Sequence, residues 1–468
     1  MVNAKPAYSG SRPALPVVTF STPMFSRFFR LSEQGTSVPR EVQAGLTTFA
    51  AMAYILVVNP AILANTGMDK SALITVTAIT AALATTLMAL LTNYPIALAP
   101  GMGINAFFAF SICLGAGVPW SEALGMVFIN GLIFLLLSVT GVRERIITAI
   151  PYPLKIAITC GIGLFIAYIG LQKAGIVVAQ AQTLTTHGEL SSGPVALALA
   201  GIGLAAVLVA RKVPGAIVLT IIAVTVVGMF VPTTDGHHVT DLPVSILSLP
   251  ASISPLFLKL SFHFLSSLDA FQKAVPLILT LLLVDMFDNI GTLIGVTKRA
   301  GYLDANGHLP KAGRALVADS LATLLSALFG TSTVVSYIES AAGVEAGGRT
   351  GLSTLVTAAL MLLALFFTPL ILIVPAAATA PALVIVGIFM MQSVTEIEMK
   401  DFTVAAPAVL TILAIPLTFS IAEGIGLGLI SCGLLCAITG KWRALGPIGY
   451  VIAGVFFLEF FHIFPFRG

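Results

Sequence analysis

Two aspartates interrupt an otherwise apolar stretch of the chain. Asp285 and Asp288 lie three residues apart in the run LLLVDMFDNIGT, so in a helix they share one face. Thr292 lies one turn further along that face. A carboxylate within a long apolar segment costs free energy, which makes such residues candidates for ligand binding or proton transfer. Of the pair, Asp285 is the candidate for a structural role.

A third acid lies where an extended segment turns into a helix. The sequence TSTVVSY, rich in β-branched residues, precedes Glu339 and Ser340, and no lysine or arginine lies nearby to neutralise the acid. A similar segment, PIALAPG at 95–101, precedes Asn105. The two segments therefore form a pair, with Asn105 at the position that corresponds to Glu339.

The composition decides what kind of protein must position these residues. Of the 468 residues, 57% are hydrophobic and 9% are charged, and the mean hydropathy is +1.03. Soluble domains carry about 25% charged residues, so a soluble enzyme is excluded. The formal net charge of +3 is too small to imply nucleic acid as a partner. The chain is predicted to be an all-α polytopic protein of the lipid bilayer.

Hydropathy divides the chain into two series of apolar segments. The first series has seven segments and the second has eight, one more than two equal halves would have. The surplus segment could be a span broken at Pro416, a re-entrant piece or a final helix along the interface. The segments are 43–64, 71–92, 94–115, 121–141, 151–172, 193–210 and 213–231 in the first series, and 274–297, 314–329, 331–346, 350–375, 379–395, 402–419, 421–439 and 446–464 in the second.

The basic residues predict the orientation. If the spans alternate from a cytosolic N-terminus, the basic clusters fall on the cytosolic side, whereas the facing connections are poorer in Lys and Arg. The clusters are Arg143 with Arg145, Arg211 with Lys212, Lys298 with Arg299, Lys311 with Arg314, and Arg349. The N-terminal region carries Lys5 and Arg12 but no apolar core, which indicates a cytosolic tail rather than a signal peptide.

An odd number of spans in each half predicts an inverted repeat, the plan of many secondary transporters. Weak internal similarity supports this: Pro151 precedes an apolar run with Gly161 and Gly163, and Pro381 precedes a run with Gly387. The predicted units are a tail (1–42), a first repeat (43–231), an extracytosolic connection (232–273) and a second repeat (274–468).

The paired extended segments point to a binding site. Backbone that is neither helix nor barrel is tolerated at membrane depth only where protein buries it or where it lines a cavity. If the segments pair near the midplane, the half-helices that follow them face one cavity. Asp288 or Glu339 could then carry a proton across, because burial favours the neutral acid, while the other accepts N–H donors from a substrate.

Other residues with catalytic or metal-binding potential lack the necessary partners. The four cysteines lie in apolar stretches, and Cys432 with Cys436 has no third ligand. The histidines at 187, 237 and 238 lie in predicted external loops without further ligands. No metal site and no cofactor are predicted.

Four separated motifs resemble one transporter family. The resemblance runs from about Phe25 to Trp442. Its motifs are TTFAAMAYI with VNP near the start, ALAPGMGINAFFAF in the third span, FDNIGT in the eighth, and YIESAAG with AGGRTGL in the tenth. They are similar to the azaguanine-permease (AzgA-like) branch of the nucleobase–cation symporter-2 family.

The resemblance implies the uracil-permease fold, with about fourteen spans in two inverted repeats of seven and two short strands before the third and tenth spans. Spans 1–4 and 8–11 would form a core domain and spans 5–7 and 12–14 a gate domain. It also implies proton-coupled import of purine nucleobases (adenine, guanine and hypoxanthine), in a plasma (inner) membrane. The oligomeric state stays open, with a homodimer among the alternatives.

The resemblance also assigns site residues. Asp288 and Glu339 match the family's two membrane carboxylates, with Asp288 as the proton-coupling residue, and Asn105 matches its third-span polar contact. Ser340 and Thr292 complete the predicted substrate site. The uracil branch has a histidine at the position of Thr292, a difference that argues against transferring its mechanism and pyrimidine specificity directly.

Rival functions predict other residues. An anion carrier or exchanger of the same architecture would normally place a basic group in the cavity, and two acids argue against it. An intramembrane enzyme would need a metal-ligand pattern or a nucleophile–base pair inside the spans, and neither is seen. A channel would need a polar pore-lining periodicity, which no span shows.

Overall fold

The computed structural model describes residues 23–140, 151–233, 235–243, 245–302 and 309–460. The predicted cytosolic residues Lys5, Arg12, Arg143 and Arg145 lie outside these ranges. The helices of the first half are α1 (Pro23–Phe28), α2 (Val38–Met52), α3 (Ile55–Leu63), α4 (Lys70–Thr92), α5 (Met102–Ala106), α6 (Trp120–Thr140), α7 (Tyr152–Lys173), α8 (Gly193–Ala210) and α9 (Ala216–Gly228).

The second half repeats this order. Its helices are α10 (Leu268–Arg299), α11 (Ala312–Phe329), α12 (Ser340–Glu345), α13 (Gly351–Ala364), α14 (Thr368–Leu372), α15 (Ala376–Met391), α16 (Phe402–Thr418), α17 (Ile421–Ile438) and α18 (Pro447–Phe460). A π-helix, Phe107–Gly115, continues α5. Within the described ranges, nine helices are long and apolar enough to cross a membrane.

Two of the spans begin with a strand, as predicted. Strand β1 (Leu98–Pro100) precedes α5, and strand β4 (Val334–Ser336) precedes α12. The two strands pair antiparallel, with Ala99 opposite Val335. A second antiparallel pair, β2 (Val177–Gln180) with β3 (Leu184–His187), forms a hairpin after α7 that the hydropathy pattern did not predict.

Side-chain hydroxyl groups next to the strand pair form hydrogen bonds with backbone groups of β1. The hydroxyl of Thr85 on α4 donates to the carbonyl of Leu98 and accepts from its amide, both at 2.9 Å. The hydroxyl of Tyr337 donates to the carbonyl of Pro100 at 2.6 Å. Because no water is available at membrane depth, these side-chain bonds replace the partners that a wider sheet would supply.

Helices α7 and α15, the fifth span of each half, pack against each other through glycines. A Cβ atom on Gly163 would lie 2.8 Å from the carbonyl oxygen of Gly387, and one on Gly387 would collide with the carbonyl of Gly163. Such small residues let two membrane helices approach closely. The two glycines predicted from the repeat therefore face each other.

The structure shifts the register of that repeat by six residues. Pro151 is the N-cap of α7 and Pro375 is the N-cap of α15, and each stands twelve residues before its glycine. Pro381, which the sequence comparison matched to Pro151, lies inside α15 instead. Position relative to the helix start therefore aligns the repeats better than local similarity does.

The surplus segment forms a separate helix. Helix α16 continues through Pro416, which excludes a span broken there. Helix α18 packs on α17: Tyr450 lies beside Gly433, and Phe456 lies beside Gly426. As the chain advances along α18, its contacts move back along α17, so the two helices are antiparallel and α18 is not a helix that only lies along the interface.

Most helix contacts fall within two groups. Helix α13 packs on α2 and α4, and α11 packs on α4 and α6. In the other group, α15 packs on α7, α8 and α9, and α16 packs on α7 and α17. These groups follow the predicted core and gate division, which stays a prediction.

A buried carboxylate that the sequence analysis missed joins the first span to the eleventh. Glu41 on α2 is fully buried and accepts the backbone N–H groups of Arg349 at 2.8 Å and of Thr350 and Ser353 at 3.2 Å. These amides lie at the start of α13, where a negative charge is stabilised by the helix dipole. The carboxylate thus caps a helix that is distant in the sequence.

We expect Glu41→Ala to destabilise the protein by more than about 2 kcal/mol, because hydrogen bonds to a charged group contribute about 1.5–3 kcal/mol each. The measurement is the apparent Tm of the purified protein in detergent. Glu33→Ala is the control, since this side chain is 65% exposed and its ion pair among the described residues is with Arg30. An equal Tm for both variants would contradict the capping role.

Candidate functional site

The two predicted acids come together where α10 passes α12. Asp288 lies in the middle of α10, and Glu339 is the N-cap of α12 directly after β4. Their carboxyl groups interact electrostatically. The fold therefore brings together two acids that are 51 positions apart in the sequence, and it does so beside the paired strands.

Glu339 does not cap its own helix; its side chain reaches the first span instead. The hydroxyl of Tyr54 donates to Oε1 of Glu339 at 2.6 Å. Tyr54 lies at the break between α2, which ends at Met52, and α3, which begins at Ile55. This tyrosine belongs to the motif TTFAAMAYI but is not among the predicted site residues. A buried tyrosine hydroxyl usually needs a hydrogen-bond partner. This requirement is the signal by which the sequence could have pointed to Tyr54.

The acids are only partly enclosed by protein. Asp288, Thr292 and Glu339 are half-buried, and Ile338 beside Glu339 is 45% exposed. By contrast, Tyr54 is 1% exposed. Protein therefore covers the side chains of the two acids only in part, whereas the residue that holds Glu339 belongs to the packed interior.

Asn105 lies in the third span, at the place that the repeat predicts. Its side chain is fully buried on α5, and its Oδ1 accepts a hydrogen bond from the hydroxyl of Ser332. Its Nδ2 has no hydrogen-bond partner among the described residues. A buried amide donor without an acceptor costs free energy.

Ser340 and Thr292 have different surroundings. The hydroxyl of Ser340 is buried and accepts the backbone N–H of Ala97 at 3.0 Å, so it ties the start of α12 to the segment before β1. Thr292 lies one turn beyond Asp288 on α10 and is half-buried. Neither hydroxyl contacts Glu339 in the described hydrogen bonds.

Asp285 lies apart from this site. It is fully buried, and its Oδ2 accepts a hydrogen bond from Nδ2 of Asn130 on α6 at 3.1 Å. This contact joins the eighth span to the fourth, in agreement with a structural role. The two aspartates of one helix therefore have different environments.

Comparison with known proteins assigns the chain to a family. The Xan_ur_permease model, described as a permease family, matches residues 39–427. The guanine/hypoxanthine permease PbuO of Bacillus subtilis (strain 168) is 44% identical over 438 residues, which cover 92% of this chain and 99% of that protein. The chain belongs to this permease family.

Further similarities agree with this assignment. The permease is 39% identical to the adenine permease AdeP of Escherichia coli (strain K12), over 93% of this chain and 96% of that protein. The transmembrane domain of a cyanobacterium bicarbonate transporter, BicA, has a TM-score of 0.59 and 16% identity, with coverage of 82% and 96%. That structure shares the fold. The resemblance to nucleobase permeases, and not to enzymes, is confirmed.

We expect Ser340→Ala to destabilise the permease by about 1–3 kcal/mol, because the N–H of Ala97 would lose its acceptor in a buried place. The measurement is the apparent Tm in detergent. Ser431→Ala is the matched control, since in the described part of the chain that hydroxyl donates to a carbonyl of its own helix. The same Tm for both variants would show that Ser340 does not support the strand.

Proposed function

We propose that this permease imports purine nucleobases together with protons. The observation that supports this proposal is that Asp288 and Glu339, on two apolar spans, interact beside a break in the helical backbone and are only partly covered by protein. No lysine or arginine occurs in 274–297 or 331–344 to compensate for them. Uncompensated acids within a membrane typically bind substrate or relay protons.

Purines fit the donors and acceptors of this site. A purine base is flat and offers ring or exocyclic N–H groups, which a carboxylate accepts strongly. In this proposal Glu339 accepts such a proton donor, and the unpaired Nδ2 of Asn105 donates to a ring nitrogen or carbonyl oxygen. Thr292 and Ser340 contribute hydroxyl groups at the edge of the site. The names of the relatives, guanine/hypoxanthine permease and adenine permease, support this substrate class.

Asp288 is the proposed proton carrier. The structure gives Glu339 a hydrogen-bond donor in Tyr54, whereas Asp288 has none in the described hydrogen bonds. A carboxyl group without such a donor gains more from becoming neutral when it is buried. Asp288 therefore takes up a proton with the substrate and releases it on the other side.

We expect Glu339→Ala to abolish binding of labelled purine, and Asp288→Asn to retain part of the binding but lose accumulation driven by a proton gradient. The assay is uptake by proteoliposomes with and without an imposed gradient. Asp269→Asn is the control on the same helix, since this aspartate is exposed and pairs with Lys273. If both site variants accumulate purine fully, the assignment of the acids is wrong.

Alternating access of a core and a gate domain is the proposed transport movement. The connections 64–69, 116–119 and 174–192 lie on one face of the protein, here called the distal face. On this face, two polar contacts join the two groups of helices described above. Lys173 at the end of α7 donates to the carbonyl of Ala61 at 2.8 Å. With the N-terminus cytosolic, the distal face is the outer face of a plasma membrane.

The second contact on the distal face involves an unusual backbone. The hydroxyl of Ser111, in the π-helix, donates to the carbonyl of Phe419 at 3.3 Å. Phe419 has φ +55°, a left-handed conformation that is unfavourable for a bulky side chain. Its ring packs on Phe165 and Tyr168 of α7. In our proposal these contacts close the outer side.

We expect Ser111→Ala combined with Lys173→Met to open the distal face. The measurement is the labelling rate of Ile338→Cys, in a variant without native cysteines, by a membrane-impermeant maleimide added from outside. The rate should rise several-fold, because two contacts of the closed state are lost. Thr418→Ala on the same face is the control, since in the described hydrogen bonds its hydroxyl donates to the carbonyls of Ala414 and Ser420 and accepts the N–H of Ser420, all close in the sequence. An unchanged rate would rule out these contacts as an outer gate.

A further inference from the structure

The connection between α9 and α10 contains a long stretch without charged residues. Asp241 and Lys259 bound the sequence LPVSILSLPASISPLFL at 242–258, here called the apolar connection, which contains no Asp, Glu, Lys or Arg. A connection of this length in water would carry several charges, since about a quarter of the residues in soluble domains are charged. The composition of the apolar connection is therefore not that of a water-exposed loop.

The apolar connection is not a membrane span either. Its described residues form no helix or strand, and three prolines interrupt it. Just before it, the N–H of Thr240 donates to the carbonyl of Gly228 at the end of α9. Just after it, the N–H of Ser261 donates to the carbonyl of Ser121 at the start of α6. Both ends lie on the distal face, so the connection begins and ends on the same side of the membrane.

Backbone hydrogen bonds hold the apolar connection against two spans. The N–H of Ser248 donates to the carbonyl of Phe366 at 3.0 Å, and Phe366 lies within the apolar segment Gly351–Leu372. The N–H of Leu258 donates to the carbonyl of Leu328 at 2.8 Å, in the last turn of α11. The connection thus runs along the ends of membrane spans instead of projecting away from them.

The large side chains of the apolar connection face outward. Leu242 is 77% exposed and Leu249 is 83% exposed, and Ile246 is exposed as well. Between the connection and the end of α13 lies an apolar groove of about 540 Å³. Exposed apolar side chains that lie together mark contacts with a membrane or with another protein. The residues that line the groove are Leu247, Ser248, Leu249, Leu363, Phe366 and Phe367.

The position of the groove favours lipid as its occupant. Leu363, Phe366 and Phe367 form one wall, and they belong to the apolar segment Gly351–Leu372. Leu362 of the same segment is also exposed. The exposed face of a membrane span contacts acyl chains, so the groove continues a surface that lipid covers. The three prolines of the connection lack N–H groups, which leaves fewer backbone donors to satisfy near the hydrocarbon.

We propose that the apolar connection lies in the bilayer interface on the distal face, with its leucines among the acyl chains of that leaflet, and that one acyl chain fills the groove beside α13. Segments with outward apolar side chains bind at this depth because the apolar atoms leave water while the polar backbone stays near the headgroups. The proposal does not depend on which substrate the permease carries.

The test measures tryptophan fluorescence in lipid nanodiscs, which leave both faces of the protein open to water. The native Trp120 and Trp442 are replaced by Phe, and Leu249→Trp supplies the probe. Phosphatidylcholine with brominated acyl chains quenches a tryptophan among the chains, whereas iodide quenches one in water. We expect the brominated lipid to quench Leu249→Trp several-fold more than it quenches the control Leu184→Trp, and iodide to show the reverse.

Leu184 is a matched control because it is 80% exposed on the same face, in the β2–β3 hairpin among polar residues. If Leu249→Trp does not fold, Leu242→Trp replaces it, with the same expected result. Quenching of the probe by iodide but not by the brominated lipid would place the connection in water and overturn the proposal. Protection from both quenchers would also overturn it, because protein, such as a second copy of the chain, would then cover the leucines.

Discussion

The whole arrangement depends on satisfying backbone hydrogen bonds where water is absent. A chain that leaves the helical conformation at membrane depth exposes N–H and C=O groups, and each unsatisfied group costs several kcal/mol. Here β1 and β4, from opposite halves of the chain, satisfy each other's groups. Thr85, Tyr337 and Ser340 provide the remaining partners. Because these hydrogen bonds offset the cost of unpaired backbone groups, two helical spans can be interrupted at the candidate site.

The same breaks locate the chemistry. Each strand is followed by the start of a helix, and a polar residue lies close after each strand: Asn105 on α5 and Glu339 before α12. The first span is also interrupted, at Tyr54, and the side chain at that break reaches Glu339. The side chain at the break in the first span therefore bonds the carboxylate that follows β4, while Asp288 lies on an unbroken helix.

The inverted repeat explains why the interruptions meet. The fifth spans of the two halves cross at Gly163 and Gly387, each twelve residues after an N-cap proline. Close packing at this crossing keeps α7 and α15 together. The group of helices around α2, α4 and α13 has its own contact between the halves, where Glu41 of the first span caps the start of α13. Both contacts lie outside the candidate site, so the site residues need not stabilise the fold by themselves.

The sequence by itself determined the membrane class, the positions of the spans within a few residues, the paired strands and the acids Asp288 and Glu339. These features depend on local properties, namely the length of apolar runs, β-branched and proline-rich interruptions, and charges that are costly in lipid. The structure alone decided that α18 runs antiparallel to α17, that Pro375 rather than Pro381 corresponds to Pro151, and that Tyr54 and Glu41 hold partners about 300 residues away. Such contacts depend on which helix faces pack together, and hydropathy carries no information about a partner that is distant in the sequence.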